Sequence, residues 1–142
     1  MQREEKIFAN LVPPNLLNSN TVIKLINGQK SHTITDFAKI LYEFHKNKYK
    51  YTSFRKNSWF EFKNNNWIEI DGQIRLFQKI AKLRENFRLL QNYYIKLYSQ
   101  NDDVQILGVI IPNIIRIIKK LEPFIFRLSI VQESKYFFYG EN

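Results

Sequence analysis

Trp59-Phe60-Glu61-Phe62-Lys63-Asn64-Asn65-Asn66-Trp67-Ile68-Glu69-Ile70-Asp71-Gly72 decides the fold, because two runs that alternate aromatic or β-branched with polar residues flank an asparagine cluster. A period of two marks a half-buried strand, and the cluster between the runs makes the pair a β-hairpin. Two registers are open. A two-residue turn at Asn64-Asn65 sets Phe60 opposite Glu69 and Glu61 opposite Ile68, whereas a three-residue loop, Asn64 to Asn66, pairs Phe62 with Ile68 and Phe60 with Ile70. The second is expected, because it gathers Phe60, Phe62, Ile68 and Ile70 on one apolar face and asparagine tolerates the left-handed conformation such a loop needs. It sets Glu61 against Glu69, so the opposite face, with Trp59 and Trp67, is expected to be partly wet.

Upstream, Tyr49, Tyr51 and Ser53 share one face of a further strand, with Lys48, Lys50, Thr52 and Phe54 on the other, and Arg55 to Ser58 turn the chain into Trp59. The three strands make a small antiparallel meander over about 49–71. Before it, Thr33-Ile34-Thr35-Asp36 has capping-box spacing with Asp for Glu, and Phe37, Ile40, Leu41 and Phe44 repeat at helical spacing, which predicts a helix over about Ile34 to Asn47. Thr21 to Ile26, ended by Asn27-Gly28, reads as a short strand. Pro13-Pro14 and the asparagines after it make 1–30 an entry segment or linker.

Downstream, Asp71 is placed to cap a long helix over about 72–99. Leu76, Ile80, Leu83, Phe87, Leu90, Tyr94 and Leu97 form a heptad seam, and the helix would run roughly 40 Å. Arg75, Lys79 and Lys82 line one exposed face of it, with no acid on that face. Asn101-Asp102-Asp103 ends this helix or caps the next; two adjacent acids without further convergent ligands make no metal site. Pro112 suits a helix start, Pro123 breaks that helix, and Phe124 to Tyr139 forms a last one with Gly140 at its C-cap. The fold class is therefore α+β, a small meander joined to a mainly helical bundle, with 31–142 as one domain.

The 142 residues suffice to bury about 68% of the unfolded surface. There are no cysteines, which excludes disulfides and thiolate metal sites. The apolar stretch Val104 to Ile118 is interrupted by Gln105, Pro112, Asn113 and Arg116 and is shorter than the ~20 residues that span a bilayer, so it reads as core and no membrane partner is expected. With four glycines and no G-x-x-x-x-G-K-[ST], the chain lacks a phosphate-cradling loop; no Gly-x-Ser-x-Gly elbow and no Cys or His cluster is present. No catalytic residue, metal or cofactor is expected. Glu61 and Glu69 lack the cleft of a glycosidase pair, and His32 and His45 have no serine and acid set around them.

Charge is more informative. The net charge is +9 and the pI near 9.7, and the cation excess lies in 31–58 and 72–100, on either side of a net acidic hairpin. Twelve Phe and eight Tyr accompany it. Cations interleaved with rings suit a single-stranded nucleic acid, whose phosphates and base faces they match. The expected phosphate contacts are Lys48, Lys50, Arg55, Lys56, Arg75, Lys79 and Lys82, and the expected stacking surfaces are Tyr49, Tyr51, Trp59 or Trp67.

One resemblance rests on Asp36-Phe37-Ala38-Lys39-Ile40-Leu41-Tyr42, Tyr49 to Phe54, Trp59-Phe60-Glu61-Phe62 with Trp67, Ile117-Ile118-Lys119-Lys120-Leu121, and Glu133 to Tyr139. This pattern resembles the region between primase and helicase in poxvirus-type primase–helicases, the superfamily III helicase polypeptides of large DNA viruses, phages and plasmids. The quoted residues bear the fold and include no catalytic group. The resemblance implies a viral DNA-replication module inside a host cell, in its cytoplasm or nucleus, that precedes a helicase motor outside this sequence. The chain is then a fragment, a separately encoded module or a shortened relative. Its implied partners are DNA, the motor and further copies of itself; the alternative is a protein-interaction or oligomerisation module with no nucleic-acid contact.

Overall fold

Strand alternation accounts for the sheet and side-chain caps for three of the helices in the computed structural model, which describes residues 12–140. In order these are α1 (Pro14–Asn18), α2 (Asn20–Ile26), α3 (Ile34–His45), β1 (Tyr49–Ser53), β2 (Ser58–Lys63), β3 (Asn66–Ile70), α4 (Gly72–Asn101), a π-helical turn (Ile106–Ile110), α5 (Ile111–Lys120) and α6 (Phe124–Phe138). The α+β class, the meander and the 30-residue helix α4 are as the sequence predicts. Two compact units divide the chain.

One unit holds Thr33–Ile80 and the chain from Phe124 on. Thr33 caps α3, its hydroxyl accepting from the Asp36 N–H and donating to the Asp36 carboxylate at 2.7 Å. The buried stripe of α3, Phe37, Ile40 and Leu41, lies against α6, where Phe37 meets Phe126 edge-on at 5.9 Å. Asp71 caps α4 by accepting from the Ile74 N–H.

The strands run antiparallel in the order β1-β2-β3. Here the hairpin departs from the expected register. The loop is the two-residue turn, Asn64 and Asn65 both taking positive φ, 53° and 66°, as a turn matched to strand twist requires. Phe60 therefore faces Glu69, Glu61 faces Ile68 and Phe62 faces Trp67. Tyr49, Tyr51, Trp59 and Glu61 point inward, and Phe60, Phe62, Trp67 and Lys50 point out. The four residues expected on one buried apolar face are thus split, Phe60 and Phe62 lying on the outer face and Ile68 and Ile70 on the side of Glu61 and Trp59. Trp59 packs against Tyr51, Phe138 and the Cα of Gly72. The edge of β1 meets the chain end, where the Gly140 N–H, with φ 103°, donates to the Tyr51 carbonyl.

The other unit holds the described residues up to His32 together with Ala81–Pro123. Residues 21–26, read as a strand, are helix α2. Ser19 decides this by accepting from the Val22 N–H, which gives four β-branched residues a helical start. Pro14 opens α1 as a first-turn proline, so the predicted extended linker is helical from there; residues 1–11 of it lie outside the described residues. Leu83, Phe87 and Leu90 of the α4 seam are buried here, as are Ile114, Ile117 and Ile118 of α5. Val104 and Leu107 are exposed, so the apolar stretch read as core is core only in part. No helix among the described residues is long and apolar enough to cross a membrane.

Candidate nucleic-acid interface

The run Lys46, Lys48, Lys50 alternates with Asn47 and Tyr49, and strand geometry sends Lys50 outward while Tyr49 goes in. On the outer face the Lys50 ammonium sits 4.4 Å from the Trp67 ring centroid, and Phe62 packs on the same indole at 5.2 Å. Trp67 remains 40% exposed. Lys50 and Trp67 open into a groove of about 500 Å³ that Tyr42, Lys46, Phe137 and Tyr139 also line. Two ammonium groups and an accessible indole thus share one surface with two tyrosines.

The inner face carries a second arrangement. Glu61 is 5% exposed, and its carboxylate is met by the Arg75 guanidinium and, at 3.7 Å, by the Lys48 ammonium. The row on α4 was expected to lack acidic partners; Arg75 finds one on the sheet. Burial raises the Tyr49 phenol above its ordinary pKa and the Glu61 charge adds to this, while Arg75 acts the other way. His45, edge-on to Tyr49, is pulled down to about 4, first by burial and then by Lys79 and Lys48. Its ring is therefore neutral at pH 7 in a cationic surrounding.

That depression makes a pH prediction. Above 6.5 both folded and unfolded chains leave His45 neutral; from 6.5 down to about 4 only the unfolded chain takes the proton, so stability falls with pH across that window and levels below it. Because water reaches part of the ring, roughly 1–2 kcal/mol is expected rather than the full linkage value. Carboxylates titrate there too, so the quantity to measure is the pH slope of urea unfolding in the wild type minus that of His45→Gln. Equal slopes would show that His45 titrates normally.

Of the remaining expected contacts, Arg55 and Lys56 sit exposed on the β1–β2 loop, held by the Lys56 N–H donating to Ser53 and by Asn57 at φ 52°. Lys82 is exposed on the part of α4 in the other unit. Tyr49, Tyr51 and Trp59 lie in the core, at 1%, 1% and 2% exposure, with their faces covered. The structure thus brings Lys50 to Trp67, and Lys48, Arg75 and Lys79 to the Glu61–His45 cluster. Sequence reasoning missed Tyr42, Phe137, Tyr139 and the opening Lys46; only the Lys-x-Lys-x-Lys alternation signals the last. Asp103 caps a turn by accepting from the Gln105 N–H, and no group of three metal-ligating side chains occurs among the described residues.

No family model matches the chain, and no solved structure matches it. The chain is similar to the protein named "Putative helicase L207/L206" of Acanthamoeba polyphaga mimivirus, at 30% identity over 116 residues, or 78% of this chain. The match spans 12% of that protein's length.

Proposed function

We propose that this chain is a non-catalytic nucleic-acid-binding module of a viral DNA-replication helicase polypeptide, of the kind that lies between primase and motor. The observation that carries the reading is the outer groove, where ammonium groups and an accessible indole stand side by side, as a single strand requires. Lys46 and Lys50 contact successive phosphates and Trp67 stacks a base; Lys48, Lys79 and the loop cations Arg55 and Lys56 extend the electrostatic field. Similarity to the mimivirus protein supports the helicase context.

The test is fluorescence anisotropy with labelled single-stranded and duplex DNA at low and moderate salt. Replacing Lys50 and Trp67 together with alanine is expected to weaken single-strand binding about tenfold. Removing Lys50 alone should make the salt slope shallower by about one. A second reading, an assembly module, draws on Phe124 and Ile125, exposed on the first turn of α6. No binding at low salt, together with a defined oligomer by light scattering that survives high salt, would leave that reading in place of the first.

A further inference from the structure

Where β1 ends, the chain turns through Phe54, and three rings meet: Phe54 lies 4.9 Å from Tyr139 and 5.2 Å from Tyr136 between centroids. All three are exposed, Tyr136 at 70%. Phe54 also covers the buried Tyr51, edge-on at 4.8 Å, which accounts for one side of its ring. That cover does not account for Tyr136, or for the gathering of three rings that all remain open to water.

The rings are also fixed in place. The Tyr51 hydroxyl donates to Asn57 Oδ1 at 3.2 Å and the Lys56 N–H donates to the Ser53 hydroxyl at 3.1 Å, so the loop that carries Phe54 is tied on both sides of it. Tyr139 is placed by its bridge to Tyr51 and by the Gly140 N–H, which donates to the Tyr51 carbonyl. Tyr136 stands on the last turn of α6. A base that stacks here meets rings already ordered, which lowers the entropic cost of binding.

Tyr139 lines the outer groove with Lys50 and Trp67 as well, so the rings continue that groove past the edge of β1. Next to them a further space of about 520 Å³ is lined by Tyr51, Phe54, Lys135 and Tyr136. Glu133 shares that lining, its carboxylate accepting from the Thr35 hydroxyl at 3.2 Å, and an acid there turns phosphates away. The cations for a strand come instead from Arg55 and Lys56, the exposed residues that follow Phe54. We propose that Phe54, Tyr136 and Tyr139 form a second stacking platform, over which a single strand leaving the Lys50–Trp67 groove continues, with its bases on the rings and its phosphates toward Arg55 and Lys56. The proposal rests on the reading of the groove as a single-strand site and adds the strand's path beyond it.

The experiment is fluorescence anisotropy of the full chain with labelled oligothymidylates of about four and about twelve nucleotides, lengths within the site sizes of single-strand-binding domains. Phe54→Leu/Tyr136→Leu removes two ring faces and leaves an apolar cover over Tyr51. It is expected to raise the dissociation constant for the longer strand about tenfold and to leave that for the shorter strand unchanged. Lys50→Ala/Trp67→Ala is expected to weaken both. Tyr136→Ala, at the most exposed of the three rings, provides a second variant should the double one lose its fold by circular dichroism. If wild type binds both strands and the folded ring variants keep their long-strand affinity, or weaken both strands equally, the platform is overturned and the groove stands. If neither strand binds, the groove reading falls and the platform with it.

Discussion

Replacing Gly72 with alanine is expected to destabilise the chain by about 3 kcal/mol, an unusually large effect for one methyl group. Gly72 opens α4 with ordinary negative φ, so the demand is steric and not conformational. A Cβ built there would overlap the Trp59 side chain at Cβ, Cγ and Cδ1. The indole is held in place by ring contacts with Tyr51 at 5.0 Å and Phe138 at 5.6 Å. The overlap must be relieved by moving either the start of α4 or strand β2, and interiors packed to crystal density resist both. Gly108 supplies the control, since a Cβ there meets nothing within 4 Å and alanine at a helical position is favourable by about 0.5–1 kcal/mol. Urea unfolding monitored by tryptophan fluorescence should place Gly72→Ala well below wild type and Gly108→Ala at or above it. A Gly72→Ala midpoint equal to wild type would mean that Trp59 does not rest on the helix start.

The same contact marks how far the sequence could be read. Helix α4 was legible because its apolar seam repeats over about three heptads and Asp71 caps it; helix α3 was legible from Thr33 and Asp36. The meander followed from alternation and the asparagine turn. Its register was not legible, because counting apolar residues assumes that a carboxylate faces water, whereas Glu61 is buried by a partner, Arg75, that arrives from the following helix. The apolar set left outside finds cover locally, Phe62 and Trp67 as a cross-strand pair with Lys50 over the indole. Helix α2 was misread because its β-branched content outweighed the Ser19 cap. Half of the outer groove was visible, Lys50 and Trp67 being adjacent to the hairpin, while Tyr42, Phe137 and Tyr139 reach it only through tertiary packing. The pocket between the 27–32 loop and α5 left no local trace, since the residues that line it, Lys30 and Arg116 among them, lie far apart in sequence.

Glu61→Ala is expected to lower stability by about 2 kcal/mol. Removing one partner of a buried ion pair costs about 3–5 kcal/mol when the remaining charge is stranded in the interior. Here the stranding is incomplete, because the Arg75 and Lys48 side chains are 36% and 48% exposed and water takes up part of their charge. What remains is the lost carboxylate packing beside Tyr49 and the repulsion between Lys48 and Arg75 once the buried carboxylate that they share is gone. A surface pair such as Arg88 with Glu85, both well exposed, sets the scale for comparison, and Glu85→Ala should move stability by less than about 0.5 kcal/mol. A double-mutant cycle of Glu61→Gln with Arg75→Gln isolates the pair, with a coupling of about 1–2 kcal/mol expected. Coupling near zero would mean that burial of Glu61 reflects packing alone. The same variant also bears on function, for Glu61→Gln leaves the outer groove intact and removes a negative charge next to Lys48. If phosphates approach Lys48 and Lys79, single-strand affinity rises in Glu61→Gln and its salt dependence steepens; if they approach only Lys46 and Lys50, affinity stays at the wild-type value while stability still drops.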